Sequence, residues 1–81
     1  MPKLILLVRA PEDYEDCSVI EYLVTEKQIE TERHNLAEAK LSLPLLKLLR
    51  PGFPDGFILE GFYDEAQNNG EFIEQKISYL H

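Results

Sequence analysis

The hydrophobic positions in the first third of the chain predict a strand followed by a helix. Residues 3–10 (KLILLVRA) form an almost unbroken apolar run, which is typical of a central strand buried on both faces. In residues 13–27 (DYEDCSVIEYLVTEK), Asp13 can act as an N-cap for a helix. Helical spacing then gathers one apolar face, made of Cys17, Ile20, Leu23 and Val24. The pattern therefore predicts a buried strand and then an amphipathic helix.

The rest of the chain predicts three more strands and a closing helix. Residues 29–36 mix charged and apolar side chains, which favours a short edge strand. Two apolar runs, 43–49 and 57–60, flank a turn at residues 50–56 that holds two prolines and two glycines. This arrangement is typical of an antiparallel hairpin. Residues 71–80 carry a helical apolar stripe, made of Phe72, Ile73, Ile77 and Leu80.

The predicted order of elements is β-α-β-β-β-α, and it indicates one α/β (α+β) domain over residues 1–81. A chain of 81 residues with 44% apolar residues has room for one small domain, in which most apolar positions must be core. The first β-α-β unit should be a right-handed parallel crossover, and the hairpin adds antiparallel strands. We therefore expect a four-stranded mixed sheet with helices packed against it.

The charge balance excludes several classes of partner. Fifteen acidic residues against eight basic ones give a net charge of -7, which argues against nucleic acid and against anionic membranes. No apolar run approaches the ~20 residues of a membrane span, and residues 4–8 are too short for a signal peptide. The single cysteine, Cys17, excludes an internal disulfide, and His34 and His81 lack further ligands at metal spacing. We therefore expect a metal-free cytoplasmic protein.

Several short motifs lie in an order that resembles the glutaredoxins, which are small members of the thioredoxin fold. Residues 14–17 (YEDC) occupy the place of a Cys-x-x-Cys motif at the start of the first helix. Residues 42–44 (SLP) resemble the Thr-Val-Pro segment of that family, and Gly61 and Asp64 resemble part of its Gly-Gly-x-Asp-Asp segment. Weaker matches keep the same order, at residues 23–24 (LV), 27–29 (KQI) and 69–72 (NGEF). The resemblance implies a thioredoxin-like fold with a groove for glutathione.

The chain departs from the glutaredoxin pattern at positions that carry its chemistry. Tyr14 stands in place of the attacking cysteine, and Glu60 replaces the first glycine of the glycine pair. Residues 35–42 leave no room for the helix that usually joins strands two and three. The N-terminal domains of glutathione transferases share the same core, and many of them carry Tyr or Ser near the first helix. The motif at residues 14–17 therefore resembles a degenerate version of the glutaredoxin site.

Cys17 and Tyr14 are the candidate catalytic residues. A helix start would favour a thiolate at Cys17, which could act as a nucleophile or form a mixed disulfide with glutathione. The alternative is a small buried core residue, because Cys17 lies on the apolar stripe and four carboxylates precede or flank it in residues 12–16. The resemblance implies that Tyr14 donates a hydrogen bond to a bound thiolate. The alternative for Tyr14 is an exposed loop aromatic or a partner contact.

Leu43, Pro44, Gly61 and Asp64 are the candidate ligand-binding residues. The resemblance implies a cis peptide before Pro44, and the backbone of Leu43 would then pair with glutathione or an extended peptide. The alternative is a trans proline at a strand entry. Asp64 would accept the amino group of a glutathione γ-glutamyl moiety, or it is a solvated residue at a helix start. The negative charge of Glu60 would weaken binding of glutathione.

Two hypotheses for the function remain open. In the first, the protein is a divergent glutaredoxin-like protein that binds glutathione or acts as a weak thiol-disulfide oxidoreductase through Cys17. In the second, the same fold has lost catalysis and serves as a protein-interaction module with a protein partner. The reactivity of Cys17 discriminates between them, because catalysis needs a reactive thiolate and an interaction module does not.

Overall fold

The computed structural model describes residues 2–12, 16–65 and 71–80, and it has the element order β-β-α-α-β-β. The elements are β1 (Lys3–Arg9), β2 (Ser18–Leu23), α1 (Glu26–Ala37), α2 (Leu43–Leu49), β3 (Gly56–Asp64) and β4 (Ile73–Leu80).

The four strands form one sheet in the order β2-β1-β3-β4, and every pair of neighbours is antiparallel. The prediction of a central strand at the N-terminus is confirmed, because β1 lies between β2 and β3. The pairing of β3 is irregular at Glu60, where its register shifts relative to both β1 and β4. Among the described strands, β2 and β4 form the two edges of the sheet.

Both helices pack against the same face of the sheet. Ile29 and Leu36 of α1, with Leu45 and Leu49 of α2, are buried in a cluster with apolar side chains from the strands. The other buried members of this cluster are Leu4, Leu6, Val8, Val24, Phe57, Leu59, Phe62 and Ile77. One face of the sheet therefore forms the core, and the opposite face carries no helix of the described chain.

Hydrogen bonds from short polar side chains fix where the two helices begin. Thr25 caps α1: its hydroxyl oxygen accepts from the backbone N–H of Gln28, and the Gln28 side-chain oxygen accepts from the N–H of Thr25. Ser42 caps α2 by accepting from the N–H of Leu45 at 3.2 Å. Pro44 lies in the first turn of α2, where the absence of an N–H leaves no helical hydrogen bond unmade.

The prediction of a thioredoxin-like mixed sheet with the order β-α-β-β-β-α is wrong. Every described strand pair is antiparallel, so the sheet contains no parallel crossover between described strands. Within the first predicted helix, residues 13–27, Ser18–Leu23 form strand β2 instead. Its sequence SVIEYL is rich in β-branched and aromatic residues, and it pairs along β1 over six positions.

Three further predicted elements also have the wrong type. The strand predicted at residues 29–36 lies within α1, because the capping box at Thr25 starts a helix there. The strand predicted at 43–49 is α2, since Ser42 and Pro44 are residues that open helices. The helix predicted at residues 71–80 is wrong, because Ile73–Leu80 form strand β4. The turn predicted at 50–56 joins α2 to β3, and the strand predicted at 57–60 is the first part of β3.

Candidate functional site

The face of the sheet that carries no helix is the candidate site, and we call it the open face. Residues directly opposite each other in antiparallel strands share a face, so the register and the alternation along each strand assign its members. They are Lys3, Ile5, Leu7 and Arg9 of β1; Val19, Glu21 and Leu23 of β2; Gly56, Ile58, Gly61 and Tyr63 of β3; and Glu74, Lys76, Ser78 and Leu80 of β4.

Large apolar side chains are exposed on the open face and beside it. Val19 is 60% exposed, Leu23 53% and Leu80 67%. Phe72, just before β4, is 45% exposed, and its ring lies over Gly61: a Cβ at Gly61 would be 2.2 Å from Cζ of Phe72. Several large apolar side chains exposed on one side of a sheet make that side a candidate binding surface.

The charges of the open face balance. Nζ of Lys3 lies 3.7 Å from Oε1 of Glu21, and Arg9, which is buried, forms an ion pair with Glu60 at the register shift of β3. Lys76 and Glu74 add one basic and one acidic group on β4. With Glu60 at the register shift counted, these are three basic and three acidic residues, so their charges cancel.

A cleft of about 400 Å³ opens at one end of the open face. The segment after β1 and the loop between α2 and β3 form its walls, and Leu80 belongs both to the cleft and to the open face. Its apolar walls include Pro11, Phe53 and Pro54, and its carboxylates are Glu12 and Asp55. The cleft therefore extends the open face with a pocket that is apolar and acidic.

The buried polar side chains on the other face join the helices to each other and to the sheet. Arg33 of α1 donates to Oδ2 of Asp64, with Nε at 2.8 Å and Nη2 at 2.6 Å. Glu32 of α1 accepts from Oγ of Ser42 at 3.0 Å.

Burial, and then the charge of Glu32, raises the pKa of Tyr22 above its ordinary value of 10.0, so this shift lowers stability only in alkaline solution.

The structure places the described residues of the predicted site in different elements. Cys17 is exposed in the segment just before β2, so the predictions of a helical position and of a buried core thiol are wrong. Tyr14 lies outside the described residues. Leu43 and Pro44 are exposed at the start of α2, in the helical layer. No described peptide bond is cis, so the predicted cis peptide before Pro44 is absent.

Gly61 and Asp64 lie on the same strand but belong to opposite faces of the sheet. Gly61 pairs with Leu7 on the open face, whereas Asp64 pairs with Leu4 on the core face. Asp64 is 1% exposed and bound to Arg33, so it is not a solvated residue at a helix start. The two residues therefore do not form one pocket.

Sequence reasoning missed the residues of the open face because it placed several of them in buried helical stripes. Leu23, Phe72 and Leu80 belonged to those predicted stripes. The signal that was available is weak: Ile77 and Tyr79 are two residues apart, whereas the spacing of Ile73 and Ile77 fits a helix as well as a strand. Even a clear strand pattern does not tell which face of the sheet a helix will cover.

The described residues contain no group of three or more His, Cys, Asp and Glu side chains that could hold a metal ion. None of the helices found in them has the length and hydrophobicity to cross a membrane.

The chain matches no protein-family model, no curated protein and no solved structure. The resemblance to the glutaredoxins stays a prediction.

Proposed function

We propose that the protein is a non-catalytic protein-interaction module that binds its partner through the open face. The observation that carries this proposal is the one-sided packing of the sheet, which leaves Val19, Leu23, Phe72 and Leu80 exposed around β1 and β3. Withdrawing such side chains from water on binding gives roughly 25 cal/mol for each Å² of apolar area. A four-stranded sheet whose helix-free face exposes large apolar side chains on and beside its edge strands therefore suits binding better than it suits catalysis.

The charges indicate what kind of partner fits. Lys3 with Glu21, and Arg9 with Glu60, are paired within the chain, so covering these two pairs leaves none of these four charges without a partner. The net charge of -7 attracts a cationic molecule over long range. We therefore propose a partner with an apolar docking surface and a basic periphery.

The double substitution Val19→Ser with Leu23→Ser tests the proposal. We expect the free energy of unfolding to change by less than about 1 kcal/mol, because both side chains are already more than half exposed. Peptides selected on the wild-type protein by phage display should combine apolar and basic residues. They should bind the double variant at least about tenfold more weakly, as measured by calorimetry.

Leu48→Ser is the matched control, because Leu48 is an exposed leucine on α2 in the helical layer. The affinity of the Leu48→Ser variant for the same peptides should equal that of the wild type. Equal affinity of the peptides for the wild type and the Val19/Leu23 variant would overturn the proposal, as would a selection that yields only peptides sensitive to Leu48→Ser.

A second candidate function is thiol chemistry at Cys17, and the observation in its favour is the exposure of this thiol. A redox role needs a thiolate that reacts faster than an ordinary thiol, and the reactivity of a cysteine follows its thiolate fraction. Exposure gives a disulfide substrate or glutathione access to Sγ. It does not by itself activate the sulfur.

Alkylation kinetics separate the two candidates. If the protein is an interaction module, iodoacetamide should label Cys17 at pH 7 at about the rate of free glutathione, within roughly threefold. The protein should also leave a glutathione mixed disulfide unreduced, and Cys17→Ser should bind the selected peptides like the wild type. Labelling more than about tenfold faster than glutathione, together with turnover of the mixed disulfide, would instead establish the thiol function.

A further inference from the structure

We propose that this chain pairs with a second copy of itself along β4, so that two four-stranded sheets join across a two-fold axis at Gln75. β4 is an eight-residue strand without glycine or proline, and it forms one edge of the described sheet. An edge strand presents backbone N–H and C=O groups that another strand can pair with. The antiparallel arrangement of two identical strands has the two-fold symmetry that most homodimers use.

The charged residues of β4 are complementary to the same residues of a second β4 strand that runs antiparallel to it. Glu74 and Lys76 are exposed, lie two residues apart on the open face, and form no ion pair within the described chain. With the axis at Gln75, Glu74 lies directly opposite Lys76 of the second copy, and Lys76 lies opposite Glu74 of that copy. Opposite charges at directly facing positions stabilise an antiparallel pair of strands.

The same two residues exclude the neighbouring registers. An axis at Lys76 places the two lysines against each other, and an axis at Glu74 does the same with the two glutamates. An axis between two residues joins the open face of one copy to the helical side of the other, since a one-residue slip reverses the faces. Only the axis at Gln75 keeps the faces continuous and forms both ion pairs.

Packing on the helical side favours the same register. With the axis at Gln75, Ile73 lies opposite Ile77 of the second copy, so two apolar cross-strand pairs form beside the core. Ile73 is 36% exposed in the single chain, and this contact would bury more of its side chain. The other edge, β2, offers no such reciprocity, because its open-face row has one charged residue, Glu21, which Lys3 already binds.

This inference does not rest on the proposed function, because it needs only the edge of β4 and the cross-strand pairs along it, and no binding of another protein to the open face. The test is sedimentation equilibrium of the full chain at about 20 mM salt and at concentrations up to about 1 mM, where exposed charges are weakly screened. We expect concentration-dependent dimers of the wild type. Glu74→Lys and Lys76→Glu should each weaken association about tenfold or more, because each replaces two attractions by two repulsions.

Two complementary samples keep the test independent of misfolding. An equimolar mixture of the Glu74→Lys and Lys76→Glu proteins should form a heterodimer, because one copy then carries two lysines and the other two glutamates on the facing rows. The double substitution in one chain should restore the wild-type dimer. Glu30→Lys and Lys27→Glu, on exposed positions of α1, give the same changes of net charge and should leave association within about threefold of wild type.

Three outcomes would overturn the inference. They are a wild-type protein that stays monomeric to about 1 mM, single variants that associate like the wild type, and a mixture of the two single variants that stays monomeric. The variants at Val19 and Leu23 should dimerise normally. Failure of the dimer is therefore distinguishable from failure of the open face as a binding surface.

Discussion

Gly61→Ala is expected to lower the free energy of unfolding by about 2–3 kcal/mol. A Cβ at this position would lie 2.2 Å from Cζ of Phe72 and 2.5 Å from the backbone oxygen of Ile73. The ring of Phe72 is partly exposed and can rotate away, but the oxygen of Ile73 belongs to the strand that pairs with β3. The substitution must therefore push β4 away from β3. Urea denaturation followed by circular dichroism measures the effect.

Two variants give this prediction its controls. Gly52→Ala should change stability by less than about 0.5 kcal/mol, because its Cβ meets only the backbone oxygen of Leu49 at 3.9 Å. Adding Phe72→Ala to Gly61→Ala should recover only part of the loss, since the clash with Ile73 remains. If Gly61→Ala is as stable as Gly52→Ala, the close approach of β4 at Gly61 is contradicted. Gly61 would then be free for the ligand-binding role that the sequence predicted.

The sequence identifies β1 and the start of β3 correctly, because each is an apolar run with no competing pattern. It fails at β2, where the apolar residues are so dense that a helical face can be drawn through a strand. Cys17, Ile20, Leu23 and Val24 fit helical spacing, yet Ile20 and Leu23 point to opposite faces of the sheet. The content of β-branched and aromatic residues in SVIEYL was the better signal.

Helix α1 was missed for the opposite reason, because few of its residues are apolar and buried. Among its twelve residues the buried ones are Ile29, Glu32 and Leu36, so a carboxylate stands where an apolar stripe would continue. The capping box formed by Thr25 and Gln28 was the sequence signal that marked its start. Glu32 is tolerated on the buried side because Ser42, the cap of α2, donates a hydrogen bond to it. Such long-range compensation cannot be read from periodicity.

The candidate site was less predictable than the fold, since an exposed sheet face is defined by the elements that do not cover it. Chemistry directed attention to Cys17 and Asp64, the residue types that react or bind ions. The structure makes Asp64 a buried support for α1 and leaves Cys17 in an exposed segment. The apolar residues that carry the proposed function look like core residues in the sequence. Only the packing of both helices on one side makes them a surface.

Arg33→Met is expected to lower the free energy of unfolding by about 2–3 kcal/mol. Arg33 holds the carboxylate of Asp64, which is almost fully buried at the end of β3, and thereby ties α1 to the sheet. Removing the guanidinium takes a charged partner from a carboxylate that is 1% exposed, and the cost of leaving a buried charge less well compensated exceeds what the ion pair itself contributes. Because the Arg33 side chain keeps 20% of its exposure, water can reach part of the site, and the loss stays below that of a fully buried pair.

A double-mutant cycle distinguishes this support from a general loss of packing. Asp64→Asn in the Arg33→Met background should cost less than in the wild type, with a coupling energy of at least about 1 kcal/mol between the two positions, measured by urea denaturation. Lys3 and Glu21 form the matched exposed pair, and Glu21→Gln should cost less than about 0.5 kcal/mol because solvent screens that interaction. If Arg33→Met costs no more than Glu21→Gln, the ion pair does not hold α1 in place. Asp64 would then be released from its structural role, and a functional role for its carboxylate would again be the better hypothesis.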